Sequence, residues 1–361
     1  MIRVASIAPV KERCGIADYM RLHAGLFPED IQIINVSLPD VHERQNVWKE
    51  AACKANTADL AHVQFEFGLF DPVKPFRNRY TGFMRALRPA RVVTLHDHFP
   101  VLRPRWRQGA PTGLKDLLRD MAYLPHFRNW ERRLYGCASH YIVHTEELRD
   151  QAAAHAGKAH VSYLPMPIPA AQAQWERRTS SPPCLITPGF VKPHKGYDEF
   201  LELVAEHESW RWIIAGGAQD EGDASYLDDL KASIIRRQLS GRTTITGYLT
   251  RREMERQMSR ATMAVFPFRR TAGSSSIAWA IAAGMPVVAS DLPAVRSMRQ
   301  AGAGIELIPT GDMGTWAARL GDLLRDQASL STLAQSNRAY ARSCGFDRLA
   351  ESIAGIYRRL R

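Results

Sequence analysis

Short apolar runs alternate with longer amphipathic segments along the whole chain. An apolar run bounded by loop residues is typical of a buried strand, and apolar positions at helical spacing are typical of a helix. The predicted strands are Ile2–Ile7, Ile31–Val36, Leu60–Phe65, Arg91–Leu95, His140–His144, Val161–Leu164, Cys184–Thr187, Arg211–Ala215, Thr243–Thr246, Met263–Phe266 and Val287–Ala289. The clearest predicted helices are Ala17–Phe27, Tyr197–Val204, Arg252–Arg260, Ile277–Ala283, Trp316–Leu324 and Phe346–Leu360. Strands that alternate with helices predict an α/β protein with parallel sheets.

The strand and helix pattern is interrupted once, near the middle of the chain. Residues 165–183 contain Pro165-Met-Pro-Ile-Pro-Ala and end in Ser180-Ser-Pro-Pro183, after which the pattern starts again. A chain of 361 residues suits two domains of ordinary size. We therefore predict a first domain at 1–165, a linker at 166–183 and a second domain at 184–345. The apolar face of the last helix, residues 346–361, predicts that it crosses back to the first domain.

Composition narrows the class of partner. Lys and Arg number 48 against 37 Asp and Glu, a net charge of +11, which favours anionic partners such as diphosphates, acidic glycans or a membrane face. The sequence contains no nucleic-acid recognition motif, so no nucleic-acid partner is expected. The five cysteines are scattered, with no spacing typical of a metal or redox site, and no signal peptide or membrane span is expected. These features predict a cytoplasmic protein with reduced thiols and no bound metal.

A candidate anion site lies between Phe266 and Asp291. Gly273 and three serines, Ser274, Ser275 and Ser276, precede a predicted helix, and Arg269 and Arg270 come shortly before them. The unpaired N–H groups and positive dipole end of a helix N-terminus favour a phosphate or diphosphate. The alternative is that Ser274 or Ser275 only caps the helix.

Polar residues also follow other strands at their carboxyl ends, where α/β enzymes bind their ligands. His96 is the strongest single candidate, since a histidine there can hydrogen-bond a sugar hydroxyl or transfer a proton. Its alternative role is to fix the turn through Asp97. The other candidates in these positions are Gly15, Glu66, His98, Gly189, Lys192, His194 and Lys195.

These segments together resemble the GT-B glycosyltransferases, in particular the retaining family 4. The matching segments occur in family order and are Cys14-Gly-Ile-Ala-Asp18, His62-Val-Gln-Phe-Glu-Phe-Gly68, Thr94-Leu-His-Asp97, Gly189 to Gly196, Gly247-Tyr-Leu-Thr250, Phe266-Pro and Ala278 to Asp291. The resemblance implies two Rossmann-like domains that face a central cleft. It also implies transfer of a sugar, a hexose by type, from a nucleotide-diphosphate donor on the second domain to an acceptor on the first, with retention and without metal or other cofactor.

Several site roles follow from the resemblance alone. Lys195 matches the lysine that binds the diphosphate, Gly15 matches a glycine near the donor phosphates, and His96 looks like the histidine near the transferred sugar. The remaining donor-binding candidates are Gly189, Lys192, Arg269, Arg270, Gly273, Ser274, Ser275 and Ser276. The acceptor-binding candidates are Glu66, His96 and His98.

The sequence departs from the family pattern at three positions. Thr271 and Trp279 stand where the family has two glutamates that contact the donor sugar and the ribose, and Phe190 stands where it has a diphosphate-binding arginine. Ser274–Ser276 resembles a serine-rich variant of the first glutamate region, and Lys192, Arg269 or Arg270 could replace the missing charge.

The departures leave the function open in two ways. We expect a glycosyltransferase that builds a glycan or glycolipid in the cytoplasm or at the inner face of the membrane. The first alternative is a catalytically silent binding or assembly subunit, which the loss of the glutamates favours. The second is a different enzyme on the same fold, such as a sugar-nucleotide epimerase or a phosphorylase.

Overall fold

The computed structural model describes the chain except for residues 11–13, 71–78, 100–117, 119–120, 122–128, 172–173, 177–181 and 272. The chain divides into two units. The first contains Met1–Leu164 together with Leu349–Arg361, and the second contains Pro165–Arg348. Within the described part of the chain, none of the helices combines the length and the apolar composition that a membrane span requires.

The first unit is built on a six-stranded sheet in the order β2-β1-β3-β4-β5-β6, and all its strand pairs are parallel. Its strands are β1 (Ile2–Ala8), β2 (Ile31–Ser37), β3 (Leu60–Phe65), β4 (Ala90–Leu95), β5 (His140–Val143) and β6 (Val161–Tyr163). Its helices include α1 (Gly15–His23), α2 (Gln45–Ala55), α3 (Arg79–Ala86) and α4 (Glu146–Ala156), with 3₁₀ turns at Phe67–Leu69 and Lys158–His160.

The second unit repeats this architecture with the order β12-β11-β10-β7-β8-β9, again in parallel pairs. Its strands are β7 (Cys184–Pro188), β8 (Arg211–Ala215), β9 (Thr243–Ile245), β10 (Met263–Phe266), β11 (Val287–Ser290) and β12 (Ile305–Ile308). Its helices are α5 (Tyr197–Glu206), α6 (Glu221–Arg236), α7 (Arg251–Met258), α8 (Ser275–Ala282), α9 (Pro293–Gln300), α10 (Met313–Arg325) and α11 (Gln327–Ser343), with a 3₁₀ turn at Pro193–Lys195. Two doubly wound sheets therefore follow one another, and the predicted α/β class is confirmed.

The two faces of the first sheet differ in chemistry. One face packs into a large apolar core that includes Val63, Phe65 and Val93. Side chains of paired residues in a parallel sheet point to the same side, and the register pairs Ser6 with His62. The opposite face therefore carries a row of polar side chains, which are Ser6, His62, Gln64, Thr94, His140 and His144.

The last helix, α12 (Phe346–Leu360), contributes its C-terminal part to the first unit. Ile353, Ala354 and Tyr357 are buried, and the Arg358 guanidinium forms two hydrogen bonds of 2.8 Å with the Asp30 carboxylate. The sequence predicted the same bounds for this helix, because its apolar positions keep a helical spacing to the end.

Two predicted segments differ from the structure. The helix expected at Ala17–Phe27 ends at His23, and the following turn contains Gly25, which does not favour helix continuation. In the interval predicted as a linker, 166–183, Ile168 and Trp175 are buried in the core of the second unit. The Trp175 indole N–H donates to the Ala261 carbonyl at 2.9 Å, so the described part of this interval packs against the second unit.

Candidate functional site

The three serines of the serine-rich loop in the second unit differ in position and exposure. Ser274 is the N-cap of α8, since its Oγ accepts a hydrogen bond from the Ile277 N–H at 3.3 Å. This is the capping role that the sequence left open for Ser274 or Ser275. Ser275 is exposed and Ser276 is half-buried, at the first two positions of the helix, where the dipole end is positive.

Ser276 lies against the loop that follows β7. Gly189 has a φ of +105°, and a Cβ at this glycine would collide with Ser276 Oγ and lie 3.3 Å from Lys195 Nζ. The glycine is required both by its backbone conformation and by the lack of space. A backbone segment, a hydroxyl and an ammonium group thus converge beside the N-terminus of α8.

Lys195 is held in this position by a tight turn. The lysine ends the 3₁₀ turn Pro193–Lys195, and Gly196 follows with a φ of +68°, its Cα so close to the Pro267 carbonyl that no side chain would fit. The lysine is buried, with Nζ 5.2 Å from the centre of the Phe268 ring. The sequence predicted the residue, and the fold directs it towards Gly189.

Burial lowers the basicity of the Lys195 side chain. Its pKa falls to about 7, mainly because burial penalises the charged form and also because of the charge of Lys192, while Asp223 acts in the opposite direction. The neighbouring His194 has a pKa of about 4, lowered first by burial and then by Lys195, Arg270 and Lys192. The surroundings of these two groups are therefore electropositive, and an anion bound there would raise the pKa of Lys195.

Two of the other cationic candidates already have carboxylate partners. Lys192 Nζ is 3.2 Å from the carboxylate of Asp223, and Arg269 pairs with Glu199 at 3.1 Å. The hydrogen bond with Glu199 raises the pKa of Arg269 further. Arg270 is exposed. Lys195 is the predicted cation whose Nζ, like Ser276 Oγ, lies beside the Cβ position of Gly189.

Trp279, Thr271 and Phe190 have contacts of their own. The Trp279 ring lies under the Arg251 guanidinium at 4.7 Å and packs at the edge of the core. Thr271 donates its hydroxyl hydrogen to the Gly273 carbonyl at 2.6 Å, which closes the loop before α8. The Phe190 ring stacks on Tyr248, with ring centres 6.3 Å apart.

In the first unit, His96 takes part in a hydrogen-bonded chain. His96 Nε2 is 2.8 Å from Oε1 of Gln64, and the amide nitrogen of Gln64 is 3.3 Å from Nε2 of His62. His62 also contacts the Thr94 hydroxyl through Nε2 at 2.7 Å and the Tyr357 hydroxyl through Nδ1 at 2.5 Å. The chain thus runs from the last helix to the end of β4.

Aromatic rings enclose the end of this chain. The His96 ring meets the Tyr19 ring edge-on at 4.9 Å and the His144 ring at 5.9 Å. Burial lowers the pKa of His96 well below its usual value, that of His62 to about 3 and that of His144 to about 4, with smaller contributions from neighbouring histidines. These imidazoles are therefore neutral near pH 7.

The sequence selected His96 but missed the residues that contact it. Gln64, His62, Tyr19, His144 and Tyr357 were not among the candidates. The available signal was the two-residue spacing of His62 and Gln64, and of Thr94 and His96, because such residues share one face of a strand.

The remaining candidates lie at strand or helix ends. His98 Nδ1 is 2.6 Å from Gln151 Oε1, and its Nε2 is 3.9 Å from the Glu147 carboxylate. Glu66 is half-buried, directly after β3. Gly15 begins α1, and only Cys14 separates it from residues 11–13, which lie outside the described part of the chain.

The described residues contain no group of three or more His, Cys, Asp or Glu placed to hold a metal ion. Two cavities of about 250 and 230 Å³ lie in the first unit, where Pro9 and Val10 follow β1 and Ser37 ends β2. Neither cavity is lined by His96.

Comparison with known proteins finds a family match within the second unit. Residues 171–342 match the family Glycosyl transferases group 1. No sequence among the curated proteins matches the chain closely enough to indicate a relative.

Solved structures extend the comparison to the whole chain. The protein is similar to Alr3699/HepE from Anabaena in complex with UDP and glucose, with a TM-score of 0.73 and 13% identity over 99% of both chains. Sucrose-phosphate synthase from Thermosynechococcus elongatus gives a TM-score of 0.68 and 14% identity over 100% of this chain and 99% of that chain. The lipopolysaccharide outer core galactosyltransferase WaaB gives 0.59 and 12% identity over 98% and 99%. These similarities show the GT-B fold.

Proposed function

We propose that this protein transfers a sugar, a hexose by type, from a nucleoside-diphosphate donor to a hydroxyl of a glycan, glycolipid or other acceptor. One observation carries the proposal, namely the convergence of Lys195 Nζ and Ser276 Oγ on Gly189 at the N-terminus of α8. A buried ammonium group, a hydroxyl and the positive end of a helix together are suited to a diphosphate.

The same groups suit the charge that develops during transfer. When the bond between the anomeric carbon and the diphosphate oxygen breaks, the negative charge on the leaving group increases. Lys195, Ser276 and the dipole of α8 would stabilise it, and preorganised groups of this kind contribute strongly to catalysis. Arg270 would add positive charge from the surface. We therefore propose that transfer proceeds without a metal ion.

The stereochemical course is proposed from the resemblance to the retaining family 4. The acceptor oxygen would bond to the anomeric carbon on the face that the diphosphate leaves, and the hydroxyl proton would pass to the departing phosphate oxygen. His96 would bind the sugar as a neutral imidazole, with Glu66 and His98 on the acceptor side.

UDP is the first donor nucleotide to test, because the structure of Alr3699/HepE contains UDP. The net positive charge of the chain favours an anionic or lipid-linked acceptor, and we propose that the protein acts in the cytoplasm, at the inner face of a membrane.

A second candidate function rests on Trp279. Its ring is engaged with Arg251 and the core, at the position where the family has a ribose-binding glutamate. A catalytically silent binding or assembly subunit on the same fold would tolerate this change.

The deciding experiment is release of nucleoside diphosphate from a panel of UDP-, GDP- and ADP-sugars, with and without acceptor glycans and lipids, in the presence and absence of EDTA. We expect turnover of one donor, insensitive to EDTA, and a loss of at least tenfold in Lys195→Met and Ser276→Ala. The matched control is Lys231→Met, an exposed lysine of α6 paired with Asp228, which should retain activity. If no donor is turned over and no nucleotide raises the melting temperature, the silent-subunit function is correct instead.

A further inference from the structure

The hydrogen-bonded chain beneath His96 fixes which ring nitrogen of that histidine carries the proton. The Gln64 amide has one oxygen, which can only accept, and one nitrogen, which can only donate. Its oxygen is 2.8 Å from His96 Nε2, and its nitrogen is 3.3 Å from His62 Nε2. His96 Nε2 must therefore carry a hydrogen, and His62 Nε2 must have a free electron pair.

The contacts at the other end of the chain agree with this orientation of the Gln64 amide. With the amide oriented in this way, His62 carries its proton on Nδ1, and this N–H donates to the Tyr357 hydroxyl at 2.5 Å. The Thr94 hydroxyl, 2.7 Å from His62 Nε2, is then a second donor to that nitrogen. A reversed amide would require both histidines to change tautomer, with His62 Nε2–H donating to the Gln64 oxygen, so the ring-nitrogen spectra distinguish the two orientations.

Burial removes water as a competing partner. Gln64, His62 and Thr94 have no exposed surface, and Tyr357 has 1%. An unmade hydrogen bond costs most in such surroundings, so each member of the chain constrains the next. The edge-on contact with Tyr19, at 4.9 Å, further restricts the His96 ring.

We propose that Gln64, supported by His62 and Tyr357, is a positioning residue that holds His96 in the Nε2–H tautomer and leaves Nδ1 as a hydrogen-bond acceptor for a ligand hydroxyl. The role in turnover rests on the proposed function, whereas the tautomer does not. A histidine fixed in this way accepts a hydroxyl hydrogen without first rotating or exchanging its proton.

The test combines ring-nitrogen NMR with kinetics. In ¹⁵N-labelled protein without ligand, His96 is assigned by its loss in His96→Gln, and we expect the Nε2–H tautomer. Gln64→Leu keeps the size of the side chain but removes the acceptor, so we expect a mixture of tautomers and a fall of at least tenfold in kcat with less than a threefold change in donor KM. Tyr357→Phe removes the hydroxyl that contacts His62 Nδ1, and it should give a mixture of tautomers at His96.

The matched control is Ser162→Ala. This change removes the 2.8 Å hydrogen bond to His140 on the same sheet without touching the chain beneath His96. It should leave the His96 signals and kcat unchanged. The proposal is overturned if wild-type His96 carries its proton on Nδ1, or if folded Gln64→Leu keeps both the tautomer and kcat. If the wild-type protein turns over no nucleotide sugar, the proposed function fails, while the NMR spectra still decide the role of Gln64.

Discussion

The side chain of Ser276 fills the space that a Cβ of Gly189 would need. This contact joins the start of α8 to the loop after β7, and Lys195 Nζ lies on the same side of the glycine. The serine, the glycine and the lysine therefore lie close together, and a change in any of them should disturb an anion bound beside α8.

Gly189→Ala should weaken binding of UDP by at least tenfold. The new methyl group would displace Ser276, approach Lys195 and force a non-glycine residue into a left-handed conformation, which costs about 1–3 kcal/mol. Calorimetric titration with UDP measures the affinity. The control is Gly241→Ala, which is exposed and has no atom near its added Cβ. Equal affinity in Gly189→Ala and the wild type would mean that the glycine does not border the nucleotide.

Binding of UDP should weaken as the pH rises above 7. The pKa of Lys195 is about 7 in the free protein, and a bound diphosphate raises it, so binding takes up a proton in the interval between the two values. UDP is already ionised at these pH values. We expect affinity to fall by up to about tenfold per pH unit between pH 7 and 9.

The lysine accounts for this slope only if its removal abolishes it. Lys195→Met should bind UDP at least tenfold more weakly and show little pH dependence, whereas Lys231→Met should behave as the wild type. A slope that persists in Lys195→Met would assign the proton to another group.

Asn337→Ala should destabilise the second unit by about 3 kcal/mol, since buried polar groups left without partners cost about 1–3 kcal/mol each. Asn337 is fully buried on α11, accepts from the Gly304 N–H at 2.7 Å and donates to the carbonyls of Met285 and Gly304. Urea unfolding measures the change. Gln335→Ala, on the exposed side of the same helix, should change stability by less than 0.5 kcal/mol. A loss below about 1 kcal/mol for Asn337→Ala would show that water replaces the amide.

The first unit should lose stability as the pH falls from 6.5 towards 4. Burial lowers the pKa of His62 to about 3 and that of His144 to about 4, so the unfolded chain binds protons at a pH where the folded unit does not. Each histidine contributes a slope of up to about 1.4 kcal/mol per pH unit in this window.

Urea unfolding at a series of pH values tests this expectation. His144→Gln removes one titrating group and should flatten the slope by about 1.4 kcal/mol per pH unit. His42→Gln, at an exposed position, should leave the slope unchanged. An unchanged slope in His144→Gln would contradict a neutral, buried His144.

The sequence determined those features that depend on neighbours along the chain. Alternating apolar runs and amphipathic segments predicted two parallel α/β sheets, and the regular spacing in Phe346–Leu360 predicted a helix with the bounds that it has. The loop after β7 and the start of α8 were selected as candidate sites because local signals, a glycine, a lysine and a capping serine, mark them. Such signals act within one turn or one loop, where the geometry of the backbone is nearly fixed.

Tertiary structure decided which of these residues meet. Ser276 reaches Gly189 because the strand order places β10 beside β7. Tyr357 reaches His62 across 295 positions because the last helix packs on the first unit. Periodicity assigns a residue to a face but does not state which distant residue packs on it, so Gln64 looked like an ordinary strand residue. Trp175 lies in the interval between two proline-containing segments, where no helical or strand periodicity predicts burial. Only the packed core shows that it is buried.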